Sequence, residues 1–319
     1  MKQWLALVRL PNLFTVPGDI LAGFFLAAAG AGAQPGFFEE NALRVFLAVA
    51  ASASIYAGGV ALNDFADRNI DAAERPERPI PSGAVSPRAA LALSAALFAG
   101  GLACAWFAGA LPAFSALAFL AAFYDWRGFR GRFPRLAVGA ISLCRGLNVL
   151  AGASVAIPLP ACVCIDCIWP LRFALAGALA MAAYVGAFSA VARTEAESDE
   201  PSPSRLFYGP AAAIALFLAP AVFATLASIP SPSGSNPVES YFAPFALAIA
   251  FLQSLVLARW HSKLLPVPQV AGRFVENIVR VQAALVLCLW NSVPALMSGA
   301  IVFFAAAAMR KTEHAFPPS

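Results

Sequence analysis

Nine stretches of predominantly apolar residues, at roughly 12–31, 41–62, 88–109, 111–125, 136–156, 171–191, 208–228, 241–260 and 284–308, constrain this chain more than any other feature. A hydrocarbon core of about 30 Å is crossed by about 20 apolar residues in a helix, because each residue rises about 1.5 Å. Strands of a membrane barrel would alternate polar and apolar residues, whereas "AFSALAFLAAF" and "ALAIAFLQSLVLA" are apolar all round. With 61% hydrophobic residues and a mean hydropathy of +0.75, the chain is too apolar for a water-soluble globule. The expectation is an all-α, polytopic membrane protein. About nine transmembrane helices would surround a central cavity, and residues 1–319 would form a single membrane-embedded domain.

The basic residues orient this bundle. With a cytoplasmic N-terminus, the inner segments hold sixteen Lys and Arg and the outer segments four, while Arg145 falls within the fifth span. Such a bias is the positive-inside pattern. It accounts for the net charge of +4 without any nucleic-acid partner. The stretch "MKQWLALVRLPN" lacks the apolar core and small-residue cleavage site of a secretory signal, so the first helix is expected to be retained. The expected setting is a lipid bilayer, a bacterial inner membrane with the N-terminus in the cytoplasm.

Against this apolar background, eight charged residues fall between Asp64 and Arg78, after the second span. If that helix continues past Asn63, Asp64, Asp67 and Asp71 stack along one face. Three carboxylates at a helix C-terminal end repel one another and oppose the macrodipole, so a cation is needed. Mg2+ prefers such oxygen ligands and commonly binds substrate phosphates as well. The alternative is a solvated helix end whose acids pair locally with Arg68, Arg75 and Arg78. Pro76, Pro79 and Pro81 then stop the helix and stiffen the return, holding Arg75 and Arg78 close to the carboxylates. Guanidinium groups offer a bidentate grip on phosphate.

The run Asn63-Asp64-x-x-Asp67-x-x-x-Asp71, followed by Arg75-Pro76-x-Arg78-Pro79-Ile80-Pro81-Ser82-Gly83, resembles the first signature of the UbiA superfamily of intramembrane prenyltransferases. The resemblance implies transfer of an isoprenyl group from a diphosphate donor to an unidentified acceptor, aromatic or lipid-like, with Mg2+ as cofactor. Family members usually carry a second aspartate-rich motif after the sixth helix. Here the corresponding loop reads "VARTEAESDEPSPS", where Glu195 and Asp199 keep an i, i+4 spacing and Arg193 stands where an acid is expected. On this reading Asp64, Asp67, Asp71, Glu195 and Asp199 hold the metal and form the catalytic set. Asn63 orients a carboxylate, and Arg193 offers a direct phosphate contact.

The loop "YDWRGFRGRFPR" is similar to the family's basic loop after the fourth helix, which places Tyr124 at the cavity mouth and Arg127 and Arg130 near the diphosphate. Ordinary positive-inside anchoring is the competing account of these arginines. In the fifth span, Arg145 and Asn148 lie three residues apart, on one face. An arginine inside a membrane costs several kcal/mol unless it snorkels or faces a polar cavity, and the cavity is the favoured expectation, with contact to donor or acceptor. The "ARTE" and "RGLN" stretches resemble the UbiA-like EboC branch. Cys162, Cys164 and Cys167 lack the repeated spacing of a zinc site and are expected to be incidental. His261 and His314 form no pair. The alternative function is a non-catalytic carrier or exporter of a lipid or small metabolite built on the same cavity.

Overall fold

A computed structural model of the chain describes residues 2–33, 36–125, 133–157 and 165–194, together with Ile278, Val281 and Gln282. The described residues contain helices and no strand. Two short helices, α1 (Lys2–Leu7) and α2 (Leu10–Leu13), lead into α3 (Val16–Gly30). There follow α4 (Phe37–Glu74), α5 (Pro87–Ala108), α6 (Leu111–Tyr124), α7 (Pro134–Ala156) and α8 (Ile165–Thr194). Among the described residues, four segments are long and apolar enough to cross a membrane: Leu10–Gly30, Phe37–Glu74, Pro87–Ala108 and Leu136–Ala156. Leu111–Tyr124 and Leu171–Ala187 are shorter apolar helices. The first six expected spans therefore coincide with helices, and the spans expected at 208–228, 241–260 and 284–308 lie outside the described residues.

The largest departure from expectation is the length of α4. Its apolar part is the expected span, but the helix runs on to Glu74, so the region read as a loop from residue 63 is helical for its first 12 residues. At 38 residues α4 is about 57 Å long, well beyond the thickness of a hydrocarbon core. Helix propagation favours this extension, since Asn63 to Glu74 contains neither Gly nor Pro. Termination comes at Arg75, immediately before Pro76.

α4 packs along α5, while α3, α7 and α8 pack against one another, and α6 bridges α4 and α7. The α5–α6 corner turns at Gly109, whose φ of 73° is the left-handed conformation that glycine adopts without penalty. The Nε of Arg44 donates to the carbonyl of Ala108 at 3.0 Å and so satisfies one of the last acceptors of α5.

Two other glycines decide how closely α3 and α7 approach. A Cβ on Gly23 would lie 1.8 Å from the carbonyl oxygen of Val149, and one on Gly152 would lie 2.2 Å from that of Ile20. Backbone against backbone leaves no room for any side chain there. Small residues at such crossings let membrane helices pack where no hydrophobic force drives them together. The contact sets Asp19 of α3 against Arg145 and Asn148 of α7. On the outside of the bundle, Leu43, Phe46, Trp106, Phe107 and Phe119 are exposed, as suits a surface facing lipid.

Candidate active site

A cavity of about 390 Å³ opens between α3, α4, α6 and α7. Its walls are apolar where Val16, Ile55, Val60, Leu117 and Ile141 contribute, and polar at two levels. One level, here called the mouth, is built on the overhanging part of α4. The other lies about 16 Å deeper, because Ser52 precedes Asn63 by 11 residues on the same helix.

At the mouth, Asn63, Asp67, Arg75 and Tyr124 line the cavity, joined by Arg9 and Asp125. Asn63 donates from Nδ2 to Oδ1 of Asp125 at 2.9 Å, tying α4 to the end of α6. Asp64 and Asp71 are buried and sit beside Arg78, which is itself only 4% exposed. Arg78 donates to Asp71 Oδ2 at 2.7 Å and lies 3.7 Å from Asp64 Oδ1. Arg9 donates to the same Asp64 oxygen at 3.2 Å. Arg78 pairs with Asp71 and approaches Asp64, as local pairing requires, Arg9 joins them from outside the motif, and Asp67 lies on the cavity wall.

Arg9 reaches this position from the link between α1 and α2, where its backbone adopts φ 48°, ψ 58°. A left-handed non-glycine residue costs of order 1–3 kcal/mol and persists only where its surroundings hold it. The Nε of Arg9 is buried and has no hydrogen-bond partner among the described residues.

The deeper level is a network centred on Asp19. Its Oδ2 accepts from Arg145 at 2.7 Å and from Asn148 at 2.9 Å, and its Oδ1 accepts from Gln282 at 2.6 Å. Arg145 also donates to the carbonyl and the hydroxyl of Thr15, and Ser52 donates to Oδ1 of Asn148. Arg145 therefore does not snorkel. Its guanidinium is held at cavity depth by an intramembrane carboxylate, the arrangement that makes a charge tolerable in hydrocarbon.

Of the residues singled out from sequence, the structure brings Asn63, Asp67, Arg75, Tyr124, Arg145 and Asn148 to one cavity and places Asp64, Asp71 and Arg78 directly behind its mouth. Arg127, Arg130, Glu195 and Asp199 lie outside the described residues, as do Cys162 and Cys164 and both histidines. Arg193 and Cys167 belong to α8, and their side chains are likewise outside the description. No group of three or more metal-ligating side chains meets the geometric requirements of a metal site among the described residues. Sequence reading missed Arg9, Ser52, Tyr56 and Asp125 on the cavity wall, and Asp19 and Gln282 behind it. Asp19 had a usable signal, since an acid within an apolar span demands a partner.

The sequence model of the UbiA prenyltransferase family matches residues 20–278. The chain belongs to this family. Among curated relatives it is similar to digeranylgeranylglyceryl phosphate synthases of archaea. It is 39% identical to that of Natronomonas pharaonis over 119 residues, 36% of this chain and 42% of the relative. It is 49% identical to that of Methanothrix thermoacetophila over 78 residues, 23% of this chain and 29% of the relative. The matched part is thus less than half of either relative's length. Solved UbiA homologues share the fold. One from Aeropyrum pernix K1 gives a TM-score of 0.60 at 20% identity, covering 88% of this chain and 98% of that one. Another, from Archaeoglobus fulgidus and bound to DMAPP and Mg2+, gives 0.56 at 17% identity, covering 88% and 99%.

Proposed function

We propose that this UbiA-family chain is an intramembrane prenyltransferase, moving an isoprenyl group from a diphosphate donor to an acceptor with the help of Mg2+. One observation carries the proposal: a single cavity joins a mouth lined by Asp67, Arg9 and Arg75 to an apolar interior within the membrane. The names of the relatives and the diphosphate held by the Archaeoglobus fulgidus homologue support the same reading. The sixteen-to-four distribution of basic residues supports a mouth on the cytoplasmic side.

The mouth suits a metal-bound diphosphate. Asp67, Asn63 and Asp125 present hard oxygen donors, with Asp64 and Asp71 behind them, and the buried Nε of Arg9, without a hydrogen-bond partner among the described residues, is a donor that a phosphate oxygen would satisfy. Asp64, Asp67 and Asp71, with Glu195 and Asp199 from the later loop, are the residues that would hold Mg2+. When bound, Mg2+ neutralises the charge that grows on the leaving group. Arg9 and Arg75 grip diphosphate oxygens, while Arg78 keeps Asp64 and Asp71 oriented and limits their mutual repulsion. Tyr124, Arg127, Arg130 and Arg193 complete the donor contacts, and Arg145 and Asn148 serve the acceptor. As the allylic C–O bond breaks, its electron pair stays with the diphosphate. Val16, Ile55, Val60, Leu117 and Ile141 keep water from the allylic carbon. The acceptor's nucleophilic atom bonds to that carbon and releases a proton.

The test is a radiolabelled prenyl-diphosphate assay in membranes with a broad acceptor panel. Product that requires Mg2+ and disappears in Asp67→Ala supports the enzyme. Ligand binding without turnover in the wild-type chain supports a carrier instead.

A further inference from the structure

The deep network differs from the mouth in what it offers a ligand. Arg145, Asn148, Ser52 and Tyr56 line the cavity, whereas Asp19, Thr15 and Gln282 stand behind them. Asp19 is fully buried, and it accepts from Arg145, Asn148 and Gln282. Its negative charge is therefore spent on the wall and not presented to a ligand. The guanidinium of Arg145, in turn, uses three of its five N–H groups on Asp19 and Thr15. Its other two have no partner among the described residues. Tyr56 lines the same cavity as Arg145 and makes no hydrogen bond to a described residue. Among the described residues, the deep wall thus offers hydrogen-bonding groups whose formal charges cancel.

We propose that the inner end of the cavity is a charge-neutral hydrogen-bonding subsite for an uncharged polar group of the acceptor, such as a hydroxyl or carbonyl, with Asp19 as the positioning residue that cancels the charge of Arg145. The acceptor assignment rests on the prenyl-transfer reading above; the charge balance does not. A carboxylate or phosphate entering here would shed its water and gain no net countercharge, a losing exchange in a low-dielectric cavity. Anionic groups belong at the mouth, where Arg9 and Arg75 face the cavity.

Cys144 lines the cavity next to Arg145 and supplies a reporter independent of turnover. The full-length chain in nanodiscs is labelled with neutral methyl methanethiosulfonate or anionic sulfonatoethyl methanethiosulfonate, and modification of Cys144 is followed by peptide mass spectrometry. The anionic-to-neutral rate ratio is expected to be low in the wild-type chain. It should rise about tenfold in Asp19→Asn, fall in Arg145→Gln and return to the wild-type value in the double variant, since an uncompensated charge a few ångströms away is strong in this medium. Opposite shifts in the two single variants are a result that loosened packing would not produce, and the double variant stands as a folded control. An unchanged ratio in both single variants overturns the proposal. So does a wild-type chain that prenylates an acceptor with an anionic inner group in preference to its uncharged analogue. Mg2+-dependent turnover is measured on the same samples. If the ratios shift but no acceptor is prenylated, the catalytic reading fails while the neutral subsite stands.

Discussion

The mouth and the deep network both set carboxylates against arginines on the same cavity, yet they are assembled in different ways. At the mouth, Asp64, Asp67, Asp71, Arg75 and Arg78 come from 15 consecutive residues, and Arg9, Tyr124 and Asp125 join them from other elements. The deep network draws Asp19, Arg145, Asn148 and Gln282 from positions up to 263 residues apart. The mouth leaves Asp67, Asp125, Arg9 and Arg75 facing the cavity. The interior turns its acid away. On the proposed function, the mouth handles a diphosphate near the interface and keeps charge for it, whereas the deep end settles its charges internally before a ligand arrives.

Four experiments would break or sharpen this contrast. The largest effect is expected on stability: Arg145→Met leaves Asp19 buried without its countercharge and should cost about 3–5 kcal/mol. Adding Asp19→Asn should recover most of that loss, as read by thermal denaturation followed by fluorescence-detected size exclusion. The mouth should respond in the opposite currency. Asp67→Ala is expected to lower prenyl transfer by about 10²-fold, with chelation of Mg2+ having the same consequence, while the melting temperature hardly moves. A loss of stability comparable to that of Arg145→Met would erase the distinction between the two regions.

Smaller effects probe the framework of each. Gly152→Ala should destabilise the fold by about 1–3 kcal/mol, because its new methyl group meets the backbone of α3 where no rotamer change can relieve it. The same denaturation assay would detect it, and a neutral result would remove the α3–α7 contact as the support of Asp19. Ser86 caps α5, accepting a hydrogen bond from the Ala89 amide at 3.2 Å. Ser86→Ala should cost about 1 kcal/mol and loosen the return that carries Arg75 and Arg78, measurable as faster amide exchange there.

The same contrast explains what could be read from the sequence. Helix positions followed from apolar length, and the mouth followed from a motif whose three aspartates share a face on condition that the helix continues past Asn63. The length of α4 was left open because its charged end carries no apolar signal, although the absence of Gly and Pro before Arg75 allowed the helix to run on. The deep network was half legible. Arg145 announced itself as a charge in an apolar span, but its partner depended on which face of α3 meets α7, and that is set by glycine contacts between segments more than a hundred residues apart. Arg9 was counted as a topological marker because its reach to Asp64 depends on a left-handed turn that local composition does not announce.

Ser52 and Asp67 ride on one uninterrupted rod, α4, 15 residues and about 22 Å apart. The two ends of the cavity therefore cannot drift apart or breathe independently; they behave as marks on a ruler. Inserting one residue between them would add only about 1.5 Å but would swing the marks by about 100° relative to each other, so altered reach has to come in whole turns or from the opposite wall.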